Sequence, residues 1–214
     1  MIYLIPAGLI GYLLGAIPFG YLYVKILRGI DVRRVGSGRT GGTNSFRAGG
    51  LIAGILTAIS DAVKGAAALM VVTVAFGRVL DATLLPWAQI VAGVFSVIGH
   101  NWSAYIKFAG GAGTGPNVGW AMAIWWPIAP ISILVVVGAL RYLGVAAIAS
   151  IMMSLIIPLT FAVRLFLGED GTVAYLVGGI ATLLIILYAL RPNIKRIFDG
   201  TERLVGPRAK KKRH

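Results

Sequence analysis

Three polar stretches interrupt an apolar chain, and each carries residue types suited to holding anions. The first is GSGRTGGTNSFR, residues 36–47. Its glycines, Gly36 and Gly38 among them, let successive backbone N–H groups turn toward one point, a geometry that cradles phosphate. Ser37, Thr43 and Asn44 add neutral donors, and the guanidinium forks of Arg39 and Arg47 match phosphate oxygens. The same composition also suits a flexible, positively charged connector, and both readings stand on these residues alone. The second stretch, GHNWSAYIKFAGGAG at 99–113, sets His100 and Asn101 at the end of an apolar run, ahead of Gly110, Gly111 and Gly113. Polar residues entering a membrane edge are usually functional, although a lone His can be a satisfied structural group. The third, residues 191–202, is expected to leave the last helix, carries both signs and holds Asn193, Arg196 and Glu202. Asp61 and Lys64 stand apart within an apolar run. At i, i+3 they share a helix face, either as a structural ion pair or as a pair orienting a neighbour.

The elements that must position these groups follow from composition. Of 214 residues, 58% are hydrophobic and 13% charged, against about a quarter charged in soluble domains. Apolar runs occur at 2–27, 51–76, 84–104, 118–139, 143–163 and 172–190. Runs of about 20 residues span a bilayer core. The expected fold is therefore all-α, a polytopic membrane helical bundle. Residues 1–203 form one membrane domain and 204–214 a polybasic tail. Gly8, Gly11, Gly15, Gly93, Gly178 and Gly179 are expected where helix backbones approach closely.

Cysteine is absent, which excludes disulfides, thiolate nucleophiles and cysteine metal sites. His100 and His214 are the two histidines, so no metal site is expected. The N-terminal run lacks a basic leader and a cleavage site and reads as a retained helix. Net charge is +13. Six Lys or Arg fall within 25–47 and nine within 191–213, flanking apolar runs. The positive-inside rule accounts for that placement without a nucleic-acid partner, and for the tail touching anionic lipid.

The cationic flanks put the 25–50 connector and the C-terminus in the cytoplasm and the N-terminus outside. That requires an even number of crossings between residues 50 and 190, yet five apolar runs lie there. Pro127 and Pro130 break the run at 118–139. Read as two half-helices that enter and return, it restores parity, giving about five full crossings plus a broken segment. Lys107 and Arg141 then lie inside, and Arg164, Glu169 and Asp170 outside.

In order, GSGRTGGTNSFR, GHNWSAYIKFAGGAG and LRPNIKRIFDGTE resemble the three signature stretches of the bacterial acyl-phosphate-dependent glycerol-3-phosphate acyltransferases, with DAVKG at 61–65 as a fourth. The resemblance runs from Met1 to about Arg203. It implies transfer of a fatty acyl group from acyl-phosphate to glycerol-3-phosphate, giving 1-acylglycerol-3-phosphate and phosphate at the cytoplasmic face of a bacterial inner membrane. It implies catalytic roles for Ser37, Arg47 and His100. It implies substrate binding by Gly36, Gly38, Arg39, Thr43, Asn44, Asn101, Gly110, Gly111, Gly113, Asn193, Arg196 and Glu202. No cofactor is implied. The implied partners are the two substrates, membrane lipid and the enzyme that makes acyl-phosphate. The hydroxyl of the acceptor attacks an activated anhydride, so no protein nucleophile is needed. Tyr105 stands five residues after His100, so the His-x-x-x-x-Asp motif of thioester-dependent acyltransferases is missing.

Five positions depart from the family pattern. Arg39 stands for Asn, Ala112 for the lysine of the second stretch, and Leu190 for the histidine opening the third; Gly144 and Ala147 replace two serines. The expectation is that Arg39 supplies the charge missing at Ala112. A non-catalytic relative that binds phospholipid or a phosphorylated metabolite is the alternative; a phosphate transporter is weaker, because no inverted repeat is visible.

Overall fold

The computed structural model describes residues 2–168 and 173–205. Glu169, Asp170, His214 and the basic cluster at 208–213 lie outside the described residues. The described chain is helical: α1 Leu4–Ala16, α2 Phe19–Arg28, α3 Gly42–Phe76, α4 Leu85–Asn101, α5 Thr114–Ile124, α6 Ile128–Tyr142, α7 Ala146–Phe166 and α8 Val173–Phe198. Among the described residues, four stretches are long and apolar enough to cross a membrane: Leu4–Arg28, Gly42–Phe76, Ala146–Phe166 and Val173–Phe198. Large apolar side chains cover the outer surface, among them Val74, 82% exposed, and Phe166, 90% exposed. The interior holds Thr57, Asp61, Lys64, Gln89, His100, Asn101 and Asn117, all buried. This inversion of the soluble pattern marks a multi-pass membrane protein, whose outward face meets lipid.

Small residues set the close contacts. A side chain on Gly11 or Gly15 would run into the α4 backbone at Ala92 or Ser96, and one on Gly65 into Pro116 of α5. Gly8, Gly93, Gly178 and Gly179 likewise face Phe95, Trp120, Ile90 and Pro158. All six glycines expected at helix contacts are at helix contacts, where van der Waals packing holds membrane helices together.

Three breaks place the site. Ile17 and Pro18 interrupt the first span between α1 and α2. In α3, Gly50 has φ 84°, ψ −172°, a region open essentially to glycine. There the chain reverses. Gly42 comes against Ala58, and Phe46 against Gly54. In a straight helix residues 42 and 54 would stand about 18 Å apart. So 42–49 is a short helical arm folded back on the span 51–76, and Thr43, Asn44 and Arg47 are helical rather than part of a loop. The Arg28 guanidinium donates to Gly49 O at 3.4 Å, capping the arm's C-terminus.

The third break is the expected one. Trp125 to Pro127 separate α5 from α6, with Pro130 in the first turn of α6, where a missing donor is harmless. The turn after α6 is tied to the chain's end: Val205 N donates to Gly144 O at 2.7 Å, and Val145 bridges Leu204. Leu204 and Val205 thus pack on the body. One expectation is corrected. Residues 191–198 do not leave the last helix but continue α8 through Pro192. Arg191 Nε donates to Tyr188 O at 3.1 Å, satisfying the carbonyl that Pro192 leaves without its helical partner.

Candidate active site

The first stretch is shaped by one amide. Asn44 Nδ2 donates to Val32 O, Val35 O and Arg39 O at 2.9–3.1 Å, and its Oδ1 accepts from Ser37 N at 3.0 Å. Asn44 therefore folds the 32–39 loop and has no donor left for a ligand. Gly36 and Gly38 sit at positive φ (55° and 73°), and a side chain on Gly36 would strike Asn44 Oδ1. Arg33 Nη1 donates to Ile106 O at 3.1 Å and Thr40 N to Gly110 O at 3.4 Å, which ties this loop to the second stretch. Asp31 grips Arg33 through both oxygens, and that guanidinium holds its carboxyl below the usual range.

Arg39 is the hub of all three stretches. Its guanidinium donates to Gly111 O at 3.0 Å, to Asn193 Oδ1 at 3.1 Å and to Ala189 O. Every one of these acceptors is neutral, and two of its five N–H donors remain. Burial, and then Arg196, push the guanidinium below its ordinary pKa. Asn193 Nδ2 and Arg196 Nε in turn hold Glu202 at 3.1 and 2.9 Å. Asn193, Arg196 and Glu202 thus form a scaffold behind Arg39.

The second stretch wraps the end of α4. Gly110 N and Gly111 N donate to Asn101 O and His100 O at 3.2 and 3.0 Å. A side chain on Gly111 would strike His100 Nε2, and one on Gly113 (φ 85°) would come 2.8 Å from Asn101 Oδ1. Both amide atoms of Asn101 are buried without a partner. His100 is not isolated: its Nδ1 lies 2.9 Å from Lys64 Nζ, which lies 2.8 Å from Asp61 Oδ1 and donates to Ile17 O at 2.8 Å. The ion pair at 61 and 64 therefore orients a neighbour, and that neighbour is His100.

These groups line two adjoining hollows. One, of about 490 Å³, has a polar end formed by Ser37, Arg39, Arg47, His100 and the helix starts at Gly41–Thr43 and Gly113–Gly115. Its other walls are apolar, with Ile59, Val118, Met122, Ile133, Val136 and Met153. The other, of about 310 Å³, is a polar cup that includes Ser37, Arg39, Asn101, Gly110, Gly111, Asn193 and Arg196. The arm of α3 and the start of α5 both present orphan N–H groups and the positive end of a helix dipole to the larger hollow. Arg47 makes no hydrogen bond or ion pair among the described residues and packs its Cδ beside Gly36. The start of α5, with the buried and unpartnered hydroxyl of Thr114, was missed in the sequence, although Gly-Thr-Gly-Pro is a helix-start signal. Ala112, Leu190 and Ala147, three of the departures, line the same hollow.

An anion cup opening on an apolar hollow suits a molecule with a charged head and a long tail. Known proteins agree. The family profile described as glycerol-3-phosphate acyltransferase matches residues 5–200. A glycerol-3-phosphate acyltransferase of Chlorobium phaeobacteroides is 35% identical, over 94% of this chain and 96% of its own length. Glycerol-3-phosphate acyltransferase 3 of Dehalococcoides mccartyi is 36% identical, over 94% and 95%. Crystal structures of PlsY (YgiH), described as an integral membrane glycerol 3-phosphate acyltransferase, superpose with TM-scores of 0.79 in the glycerol 3-phosphate form and 0.78 in the lysophosphatidic acid form. Each shares 30% identity, covers 95% of this chain, and is itself covered to 96% and 95%. The fold, the convergent polar stretches and these likenesses place the chain in the glycerol-3-phosphate acyltransferase family.

Proposed function

We propose that the protein acylates glycerol-3-phosphate, taking the acyl group from acyl-phosphate and releasing 1-acylglycerol-3-phosphate and inorganic phosphate. The observation that carries this reading is the junction of a cationic cup with an apolar hollow. The tail of the donor lies along Ile59, Met122 and Val136, with its phosphate at the polar end beside Arg47 and the helix starts. The polar second cup, which shares Arg39 and Ser37 with the first, takes glycerol-3-phosphate.

The site's chemistry favours a pre-activated donor. Ser37 Oγ has no base hydrogen-bonded to it among the described residues, so nothing supports an acyl-serine intermediate. In the direct reaction, the acceptor hydroxyl bonds to the acyl carbon and the acyl carbon–oxygen bond to phosphate breaks. The departing phosphate takes the hydroxyl proton. The residues contribute positioning and charge stabilisation, the two terms that transfer between anions most requires. Asn193, Arg196 and Glu202 act by holding Arg39, and Asn44 by shaping the 32–39 loop.

The cationic flanks support a site at the cytoplasmic face of a bacterial inner membrane, where the enzyme that makes acyl-phosphate would deliver its product. The purified protein in detergent should release phosphate from palmitoyl-phosphate only with glycerol-3-phosphate present, and should not use palmitoyl-CoA. Turnover with the thioester, and none with the anhydride, would remove the donor assignment. Substrate binding without turnover on either donor would favour a non-catalytic lipid-phosphate binder.

A further inference from the structure

His100, the residue placed most directly for base catalysis, is fixed by its neighbours in another role. Lys64 Nζ has three acceptors within reach: Ile17 O and Asp61 Oδ1, each at 2.8 Å, and His100 Nδ1 at 2.9 Å. An ammonium has three hydrogens and no lone pair. A neutral amine here would leave the Asp61 carboxylate buried without a counter-charge, which is costly. His100 Nδ1 stands farther from Asp61 Oδ1, at 3.4 Å, than Lys64 does. The ammonium therefore donates to Ile17 O and to Nδ1 and pairs with Asp61 by charge, Nδ1 accepts, and the single ring proton of a neutral imidazole sits on Nε2. Tautomers follow from the surrounding hydrogen bonds in this way.

The rest of the surroundings agree. The kink at Ile17–Pro18 is what frees the Ile17 carbonyl from its helix and presents it to Lys64. All three side chains are buried: His100 is 5% exposed, Asp61 and Lys64 each 3%. At the opposite edge of the ring, Nε2 lies against Gly111, where any side chain would strike it, and His100 lines the larger hollow.

We propose that Lys64, held by Asp61 and the Ile17 carbonyl, is a positioning residue that locks His100 as an Nε2–H donor facing the anion cup. His100 is then a ligand for a phosphoryl or acyl oxygen and not a general base. This rests on the acyl-transfer reading for its catalytic meaning, while the tautomer itself can be observed without turnover.

The chain's two histidines make a direct test feasible. In the full chain carrying His214→Ala and labelled with 15N-histidine, His100 gives the only imidazole signals. At neutral pH the spectrum should show a protonated Nε2 and an unprotonated Nδ1. A protonated Nδ1, or an imidazolium, overturns the proposal. Asp61→Asn with Lys64→Met removes both charges together and avoids stranding one. In that folded variant the single tautomer should give way to a mixture; an unchanged spectrum means Lys64 does not set it.

The kinetic arm uses conservative replacement. His100→Gln puts an amide N–H near the place of Nε2 and should keep turnover within about tenfold. His100→Leu, with no donor, should lose more than about a hundredfold, the range expected for a charge-assisted hydrogen bond. Equal loss in both variants would restore His100 as a base. Should the wild type prove inactive on every donor, the function falls, and the spectrum still decides the tautomer.

Discussion

Arg39 and Arg47 enter the cup differently, and their variants should differ accordingly. Arg47 has no protein partner among the described residues, so its guanidinium is available to a phosphate. Arg47→Ala should reduce kcat/KM about tenfold to more than a hundredfold, because a charge-assisted hydrogen bond is worth roughly 1.5–3 kcal/mol. Steady-state kinetics on protein with an unchanged thermal transition would check it, and near-normal kinetics would assign Arg47 to topology alone. Arg39, in contrast, spans the loops by three bonds to neutral acceptors. Gly111, whose carbonyl it grips, directly precedes Ala112. The guanidinium has therefore been brought to the stretch where the family carries lysine. Arg39→Asn should nearly abolish turnover, and adding Ala112→Lys should recover a good part of it. Non-additive rescue is the signature of two positions serving one partner. Recovery short of full is expected, because an ammonium is a point charge and cannot fork. A double variant no better than Arg39→Asn would sink the exchange.

At the scale of elements, the site depends on breaks more than on helices. Gly50 is the decisive one. Its φ and ψ lie where any other residue is strained by about 1–3 kcal/mol. The reversal there swings Thr43 and Arg47 back along the span. Gly50→Ala should lower the thermal transition by that strain and lower activity further than Arg47→Ala, since the whole arm is displaced; an unperturbed variant would show that the arm is held by its packing on Gly54 and Ala58. The sequence made the span 51–76 legible, because its apolar run begins just past Gly50. It did not make the arm legible. Residues 42–49 are small and polar, and small polar residues signal loops before they signal helices. The three polar stretches could be read as one site because each sits beside an apolar run. The partnership of Lys64 with His100 could not be read, since it depends on the α1–α2 kink supplying Ile17 O and on the packing of α3 against α4. The continuation of α8 past Pro192 was hidden for a related reason: a proline reads as a stop unless a neighbour such as Arg191 covers the freed carbonyl.

At the scale of the molecule, the eight helices of the described residues must be threaded so that the charge pattern's expectation of one membrane face for both ends of the site can hold. The apolar runs numbered one too many for the charge pattern, and parity demanded that one of them not cross. The structure contains the means. Gly113, at the start of α5, and Glu202 line the same hollow, and Leu204 and Val205, just past Glu202, hold the turn after α6. The pair α5–α6 therefore begins and ends at the site. With 11 and 15 residues these helices are about 16 and 22 Å long, each short of a hydrocarbon core of about 30 Å. Non-helical backbone at their tip, Trp125 to Pro127, is tolerated at depth when protein surrounds it. A pair that enters and returns leaves Tyr142 on the cytoplasmic side, whereas a full crossing would put it outside. The absence of cysteine makes this measurable, because any cysteine introduced is the only thiol. Asp81→Cys, at an exposed position in the connector after α3, should react with a membrane-impermeant maleimide in cells with an opened outer envelope. Tyr142→Cys, at a position 70% exposed, should react only after the inner membrane is also breached. Labelling of Tyr142→Cys from outside would mean that the broken segment crosses. The cytoplasmic placement of the C-terminal stretch would then fail with it, since Gly144 and Val205 are hydrogen-bonded to each other.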